Sequence, residues 1–242
     1  AEYFLWAAEE LEKKYGYQEV NLNLGCPSRT VVSKGKGAGF LAKPKELDAF
    51  FREVFENSRI KISVKTRAGM DSPKEFCRLM EIFNKYPIHE LILHPRVQKD
   101  YYNYAPDPEV FAEAIQESRI PLCYDGDIFV PEDYGTLKER FPVMDRIMLG
   151  RGLLMNPALA EKIRAKGEEN LRDGKRLSAF HDRLYHDYRQ VMSGDRNVLF
   201  KMKEFWVYAE SMFPEEKKIM KRIKKAERLC DYEQAVKELM TV

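Results

Sequence analysis

The sequence predicts an α/β fold of the (β/α)8, TIM-type barrel class, followed by a small all-helical domain. Five short runs rich in aliphatic and β-branched residues alternate with helical stretches over the first two-thirds of the 242 residues, a pattern typical of βαβ units and a parallel sheet. Each run ends in polar or glycine residues. Polar residues at the carboxyl ends of successive parallel strands are the layout of such a barrel.

The first three elements have clear boundary signals. Residues 1–15 have helical spacing and end at Gly16, which suits the left-handed conformation of a helix C-cap. Residues 19–24 alternate polar and aliphatic side chains as a strand does, and a Gly-Cys-Pro turn follows them. Residues 44–57 place Pro44 in the first turn of a helix and apolar side chains on one side of it.

The remaining elements continue this alternation. The predicted helices are residues 73–85, 108–117 and a segment near 131–140, and the predicted strands are residues 60–67, 90–94, 120–124 and 145–149. Because the chain has five strands and opens on a helix, an eight-stranded barrel would lack its first three strands. From residue 176 to residue 242 the signals are helical, and we expect Gly194 and Pro214 to separate three or four helices.

Composition excludes several classes of protein. The chain is 44% hydrophobic, which excludes wholesale disorder, and no stretch approaches the ~20 apolar residues of a membrane helix. The first residues lack the basic region and apolar run of a signal peptide. The four cysteines include no CxxC pair, so neither a disulfide framework nor a zinc site is expected. We therefore expect a cytoplasmic monomer with reduced thiols, without a metal and without a membrane partner.

Charge is informative only near the C-terminus. The chain has 41 basic and 39 acidic residues, a net charge of +2, which is too near balance to indicate a nucleic-acid partner. Residues 217–225, however, hold six basic residues among nine. An apolar stripe at helical spacing accompanies them: Ile219, Ile223, Ala226 and Cys230. The cationic face of this predicted amphipathic helix is either simply solvated or binds a phosphate backbone.

Cys26 is the sharpest local feature of the chain. It lies between Gly25 and Pro27 just after a strand, on a tight exposed turn from which a thiol can reach a substrate. The alternative is a small residue tolerated in a turn. The glycine-rich stretch at residues 35–39 either lets the backbone approach a ligand or forms a mobile loop, and it lacks the Lys-Ser/Thr of a P-loop.

Two neighbouring strands end in pairs of basic side chains. Lys65 and Arg67 are two residues apart, as are His94 and Arg96, so each pair points to one side of its strand. Within a barrel mouth this charge suits a flavin ring or a phosphate, whereas the alternative is a solvated strand end. Two adjacent strands with the same arrangement favour a site.

Glycines follow the last two predicted strands. Gly126 follows the fourth, and Gly150 and Gly152 flank Arg151 after the fifth. Backbone N–H groups at these two turns bind the phosphate in phosphate-binding barrels, and Arg151 would add a charge-assisted contact. The alternative is a pair of glycine turns with a surface arginine.

Together these segments resemble the tRNA-dihydrouridine synthases, flavin enzymes that reduce uridine in tRNA. The motifs that carry the resemblance occur in the family's order: NLNLGCPS at 21–28, GKGAGFL at 35–41, VKTR at 64–67, HPR at 94–96, DGDI at 125–128 and GRG at 150–152. The first motif is specific, whereas HPR and GRG carry no weight alone. The resemblance implies an FMN-binding TIM-barrel catalytic domain at residues 1–170, incomplete at its N-terminal side, and a helical tRNA-binding domain at residues 176–242.

The resemblance also implies roles for the matching residues. Cys26 would be the general acid that protonates C5 of the uracil while FMN, reduced by NADPH, delivers hydride to C6. The substrate would contact Asn23, Arg67 and Arg96, and the tRNA would contact Lys201, Lys203, Lys221, Arg222 and Lys225. The residues that would bind FMN are Lys65 and His94 near the ring and ribityl chain, and Asp125, Gly126, Asp127, Gly150 and Arg151 near the phosphate.

The chain departs from the family in two places. The family begins with three more strands, so this chain looks like a fragment that lacks them. The family also commonly has asparagine where this chain has Asp125. Because a carboxylate beside a phosphate dianion is repulsive, we expect an Asp125→Asn variant to bind FMN more tightly.

Two other functions remain open on the sequence. A flavin barrel that acts on a free pyrimidine or another small enone would explain the strand-end residues but not the basic helical tail. A tRNA-binding protein without catalysis would bind tRNA in a salt-dependent way, without yellow colour or NADPH oxidation.

Overall fold

The sheet is built from five parallel strands in sequential order. A computed structural model of the chain describes residues 1–165 and 173–241. The strands are β1 Glu19–Leu24, β2 Lys61–Gly69, β3 Leu91–Val97, β4 Leu122–Asp125 and β5 Ile147–Met148. All neighbouring pairs are parallel, so the carboxyl ends of all five strands lie at one edge. The expected α/β class is confirmed, and the sheet is consistent with part of a TIM-type barrel.

Helices follow the strands in alternation. They are α1 Glu2–Tyr15, α2 Arg29–Val32, α3 Pro44–Asn57, α4 Glu75–Phe83, α5 Pro108–Glu117, α6 Pro131–Arg140, α7 Arg151–Met155, α8 Leu159–Arg164, α9 Asp173–Val191, α10 Asp195–Ala209, α11 Lys217–Lys225 and α12 Leu229–Leu239. Gly16 ends α1 with φ 74°, and its N–H donates to Glu12 O. Every helix and strand predicted in the first two-thirds of the chain occurs within a few residues of its predicted position.

Several boundaries differ from the sequence prediction, among them those of α4, β3 and β5. The predicted helix at 73–85 starts only at Glu75, because the Glu75 carboxylate accepts the backbone N–H groups of residues 70–72 and folds them into a turn. β3 extends to Val97, beyond the predicted end at residue 94, although Pro95 has no N–H to donate to a neighbouring strand. The β2–β3 register shifts between Arg67 and Gly69, opposite this segment. β5 has two residues rather than the five predicted.

The chain divides into two compact units. The first comprises residues 1–126 and 138–148, and the second comprises residues 127–137 and 149–242. The core of the first unit combines aliphatic side chains with aromatic ones, among which Phe51, Phe76 and Phe83 are fully buried. The predicted end of the first domain at residue 170, and Val242 at the end of the second, lie outside the described residues.

The described part of the second unit is mostly helical. α9 to α12 pack around a buried core that includes Met202, Trp206 and Tyr232. The apolar stripe expected on one helix is interrupted: α11 ends at Lys225, Ala226 is non-helical with ψ 132°, and Cys230 is exposed on α12. Among the described residues no helix combines the length and apolar character needed to cross a bilayer.

Candidate active site

A side chain of β1, the strand that precedes it, stabilises the Cys26 turn through hydrogen bonds. Asn23 lies two residues before the turn, and its Oδ1 accepts the backbone N–H of Gly25 at 2.9 Å and of Cys26 at 3.1 Å. Asparagine is common in turns because its side chain can accept hydrogen bonds from the backbone of the following residues in this way. The thiol of Cys26 is free and partly exposed, so the turn presents it at the carboxyl edge of the sheet.

The glycine-rich stretch packs against this turn. Gly37 has φ 55°, and a Cβ on it would lie 2.9 Å from both Cβ and the carbonyl oxygen of Cys26. The N–H of Ala38 donates to Cys26 O at 3.1 Å. The glycine therefore permits a close approach of two backbone segments, and residues 37–40 form a short 3-10 helix.

Arg67 is buried beneath the turn. Its guanidinium donates from Nε to Gly25 O, from Nη1 to Val97 O, and from both Nη atoms to Tyr101 O, each at 3.0 Å. It is 2% exposed, and burial lowers the pKa of its guanidinium. Alternation predicts one face for Lys65 and Arg67, but Arg67 is covered by the main chain that follows β3.

Residues after β3 complete the support of the Cys26 turn. Gln98 Nε2 donates to Pro27 O at 3.0 Å. Tyr101, whose carbonyl accepts from Arg67, has φ 49° and ψ −100°, a conformation that side-chain-bearing residues rarely adopt. The Cys26 turn and the segment after β3 are thus joined through Arg67 and Gln98.

The two polar residues of β3 contact each other. His94 Nδ1 lies 2.7 Å from Asp125 O, and Arg96 Nη1 lies 3.2 Å from His94 Nε2. A carbonyl only accepts and a guanidinium only donates, so the hydrogen bonds assign His94 the tautomer with its proton on Nδ1. Arg96 Nε also donates to Tyr104 O at 2.6 Å. Both side chains are buried.

Lys65, His94 and Asp125 converge at the same edge. The ammonium of Lys65 pairs with Asp125 Oδ2, and His94 Nδ1 lies 3.4 Å from that oxygen. Burial by itself raises the pKa of the Asp125 carboxyl, but the hydrogen bond from His94 and the charge of Lys65 outweigh it, and the pKa lies below its ordinary value. Asp125 is therefore ionised at neutral pH.

Tyr102 is a residue of this edge that the motifs did not indicate. Its ring lies 5.4 Å from the guanidinium of Arg67 and 5.7 Å from that of Arg96, and it meets His94 edge to face at 6.0 Å. The side chain is nevertheless 53% exposed. The available signal was the run of three tyrosines at 101, 102 and 104, directly after the strand that carries His94.

The residues predicted to hold a phosphate fall in different units. In the first unit, a Cβ on Gly126 would overlap the ring of Tyr124. In the second unit, Arg151 Nη2 donates to Asp127 Oδ1 at 2.5 Å, and its guanidinium lies over Phe129. Apart from its chain neighbours, no described residue would contact a side chain at position 150.

The predicted tRNA contacts lie on two helices of the second unit. Lys201 and Lys203 are on α10, where Lys201 pairs with Glu204 at 2.8 Å. On α11, Arg222 pairs with Glu238 at 2.6 Å, whereas Lys221 and Lys225 are exposed and line a cavity of about 490 Å³. Phe213 and Met220 also line this cavity. Over residues 1–165 and 173–241, no cluster of His, Cys, Asp or Glu could hold a metal ion.

Comparison with known proteins decides the family. A family model described as dihydrouridine synthase (Dus) matches residues 1–241. The chain belongs to the dihydrouridine synthase family. The match covers the Cys26 turn, the Lys65–His94–Asp125 cluster and the basic helix α11, so the family resemblance expected from the motifs is confirmed.

Members of the dihydrouridine synthase family from bacteria are similar to this chain over most of its length. The tRNA-dihydrouridine(16) synthase of Pseudomonas putida is 29% identical over 198 residues, which are 81% of this chain and 55% of that protein. The tRNA-dihydrouridine synthase B of Pasteurella multocida is 24% identical, covering 78% and 59%. A probable tRNA-dihydrouridine synthase of Staphylococcus aureus is 28% identical, covering 73% and 54%. The chain therefore spans just over half the length of these curated relatives.

Proposed function

We propose that the chain reduces uridine in tRNA to 5,6-dihydrouridine, with FMN as its cofactor and NADPH as the reductant of the flavin. The observation that carries the proposal is the Cys26 turn, which hydrogen bonds with Asn23 and Arg67 hold at the carboxyl edge of the sheet. The neighbouring strands place Lys65 and His94 at the same edge. Membership of the family supports this reaction, and the names of the relatives support tRNA as the substrate.

The residues at this edge fit a flavin. A flavin ring presents carbonyl oxygens and ring nitrogens that accept hydrogen bonds, and the Lys65 ammonium is a hydrogen-bond donor at this edge. Lys65 and His94 would hold the ring. Gly126, Asp127, Gly150 and Arg151 are proposed to bind the phosphate. When bound, FMN supplies the hydride that C6 of the uracil accepts.

Cys26 supplies the proton in this proposal. Addition of hydride at C6 breaks the C5=C6 π bond and leaves an electron pair on C5, in conjugation with the C4 carbonyl. The Cys26 thiol donates the proton that forms the C5–H bond, and the thiolate then takes a proton from water. Partial exposure of the Cys26 thiol leaves it accessible to a base that has left its stack in the tRNA.

Arg67 acts on this step as a positioning residue. Its guanidinium donors are engaged with three backbone carbonyls, one of which, Gly25 O, is adjacent to Cys26. A planar guanidinium fixes several acceptors in one geometry, which a single ammonium does not. Arg67 thus holds Cys26 in place. We propose that Arg96 and Asn23, rather than Arg67, contact the uracil.

The basic side chains of α10 and α11 are proposed to bind the tRNA backbone. Lys217, Lys221 and Lys225 recur at every fourth position along α11 and line one cavity, which gives a row of cations at helical spacing. We assign the second domain, residues 176–242, to tRNA binding and the first, residues 1–170, to catalysis.

A redox cycle followed in the visible spectrum tests the proposal. The purified chain, supplied with FMN, is expected to show a flavin absorption band that NADPH bleaches under anaerobic conditions. Unmodified transcribed tRNA should then restore the band and acquire dihydrouridine, whereas free uridine should do neither. A protein that binds tRNA but no flavin would overturn the catalytic proposal and leave a tRNA-binding function.

A further inference from the structure

An ion pair crosses one strand at the candidate active site. Lys65 lies in β2, where its register partner is Ile92 of β3, and Asp125 is the last residue of β4. The Lys65 side chain therefore passes over β3 to reach the Asp125 carboxylate. The side chains are 27% and 14% exposed, so water screens this pair less than it screens a surface pair.

The other cations at this edge have different partners. Arg67 donates to backbone carbonyls, and Arg96 donates to Tyr104 O and to His94 Nε2. Lys65 pairs directly with the Asp125 carboxylate. The carboxylate thus neutralises the ammonium and occupies at least one of its three N–H donors.

We propose that Asp125 is an internal counter-ion that competes with a bound flavin for Lys65 and thereby weakens the affinity of this chain for the flavin ring. The inference rests on the proposed function, in which Lys65 contacts the ring. It differs from the expectation drawn from the sequence, in which Asp125 repels the phosphate. In the structure, the Asp125 carboxylate contacts the two side chains proposed to hold the ring, Lys65 and His94.

Two flavins distinguish the ring from the phosphate as the place where Asp125 acts. FMN and riboflavin share the ring, but riboflavin lacks the phosphate. Dissociation constants are measured by quenching of flavin fluorescence with the full chain and with Asp125→Asn. Release of Lys65 is expected to tighten binding of both flavins by about tenfold. It should also shift the midpoint potential of bound FMN to a more positive value, because an unneutralised cation favours the electron-rich reduced ring.

A second variant tests whether the effect passes through Lys65. In a Lys65→Met background, Asp125→Asn should change the affinity for riboflavin by less than about twofold, since the competing ammonium is gone. Circular dichroism shows whether each variant is folded.

Three results would overturn the inference. Tighter binding of FMN alone would locate the effect at the phosphate. Unchanged or weaker binding of both flavins would mean that Asp125 merely orients Lys65, and an undiminished effect in the Lys65→Met background would mean that it acts without Lys65. Failure of the folded parent chain and of Asp125→Asn to bind either flavin would instead overturn the proposed function, and this inference with it.

Discussion

Cys26 is the residue on which the proposed proton transfer depends. Replacement by alanine removes the proton donor but leaves the hydrogen bonds of the turn, which involve backbone atoms of residue 26. We expect Cys26→Ala to lower kcat by about a hundredfold or more, with the Kd for tRNA unchanged. Single-turnover oxidation of the reduced flavin by tRNA measures this loss.

The matched control for Cys26→Ala is Cys77→Ala. Cys77 is a free, exposed thiol on α4, and its loss should leave kcat at the parent value. Equal activity of Cys26→Ala and Cys77→Ala would show that another group protonates C5.

An Arg67→Lys variant tests whether Arg67 positions Cys26. Arg67→Lys keeps the positive charge but cannot reproduce the fork that joins Gly25 O to Tyr101 O. We expect kcat to fall by about tenfold with KM for tRNA nearly unchanged, and the rate at which iodoacetamide alkylates Cys26 to change relative to the rate at Cys77. An unchanged alkylation ratio together with a raised KM would point to substrate contact instead.

At the residue scale the sequence predicted which side chains gather but not what each contacts. Cys26, Lys65 and His94 were found from strand-end positions, and the structure brings them to one edge. The burial of Arg67 was not predictable, because strand alternation fixes only the face of a side chain. Whether that face meets solvent or backbone carbonyls depends on Val97 and Tyr101, which are distant in sequence.

The helix α11 carries the prediction that belongs to the element scale. If Lys221 and Lys225 contact tRNA phosphates, replacing both by alanine should reduce the slope of log K against log salt concentration by about 2. Filter binding between low and moderate salt measures this slope.

A matched double variant removes the same charge elsewhere. Lys13 and Lys14 are exposed on α1, where each pairs with a glutamate four residues earlier. Lys13→Ala with Lys14→Ala should leave the slope unchanged. If both pairs of substitutions reduce the slope equally, the tRNA is attracted by net charge and not by α11.

Whole elements were predictable because their boundary signals are local. Gly16 and Pro44 act within their own helices, and the five strands follow from local composition. The break after α11 was missed because Ala226 carries no breaking signal. It leaves the helix and is nonetheless buried, with 6% exposure, in the core shared with α12. The end of α11 thus depends on tertiary packing and not on the spacing of apolar residues in the sequence.

The order of the strands was also predictable, because short right-handed crossovers favour neighbours in sequence as neighbours in a parallel sheet. The division of the chain into two compact units by contacts is distinct from the domain boundary expected from the sequence. The sequence placed one boundary near residue 170, whereas residues 127–137 cluster with the second unit. Composition could not reveal that assignment, because it depends on contacts between segments far apart in the chain.

The second unit should lose stability at low pH, because its core contains a buried neutral histidine, His181. Trp206 Nε1 donates to Tyr232 Oη at 2.8 Å, and Tyr232 Oη lies 2.6 Å from His181 Nε2. The Asp182 carboxylate, 2.9 Å from His181 Nδ1, only accepts, so the neutral imidazole carries its proton on Nδ1, and the Tyr232 hydroxyl donates to Nε2. Burial lowers the pKa of His181, against the opposing effect of Asp182.

A lowered pKa in the folded state fixes the sign of the pH dependence. Below the ordinary histidine pKa of about 6.5 the unfolded chain binds a proton that the folded chain refuses, so the free energy of unfolding falls as pH decreases. In a Trp6→Phe background, Trp206 fluorescence reports unfolding of the second unit. The urea concentration at the midpoint of this unfolding should be lower at pH 5 than at pH 7.5. His181→Gln should flatten this dependence, whereas His186→Gln, at an exposed position of the same helix, should retain it. An equal pH dependence in both variants would assign the effect to other groups, since His181 is the buried histidine of this core.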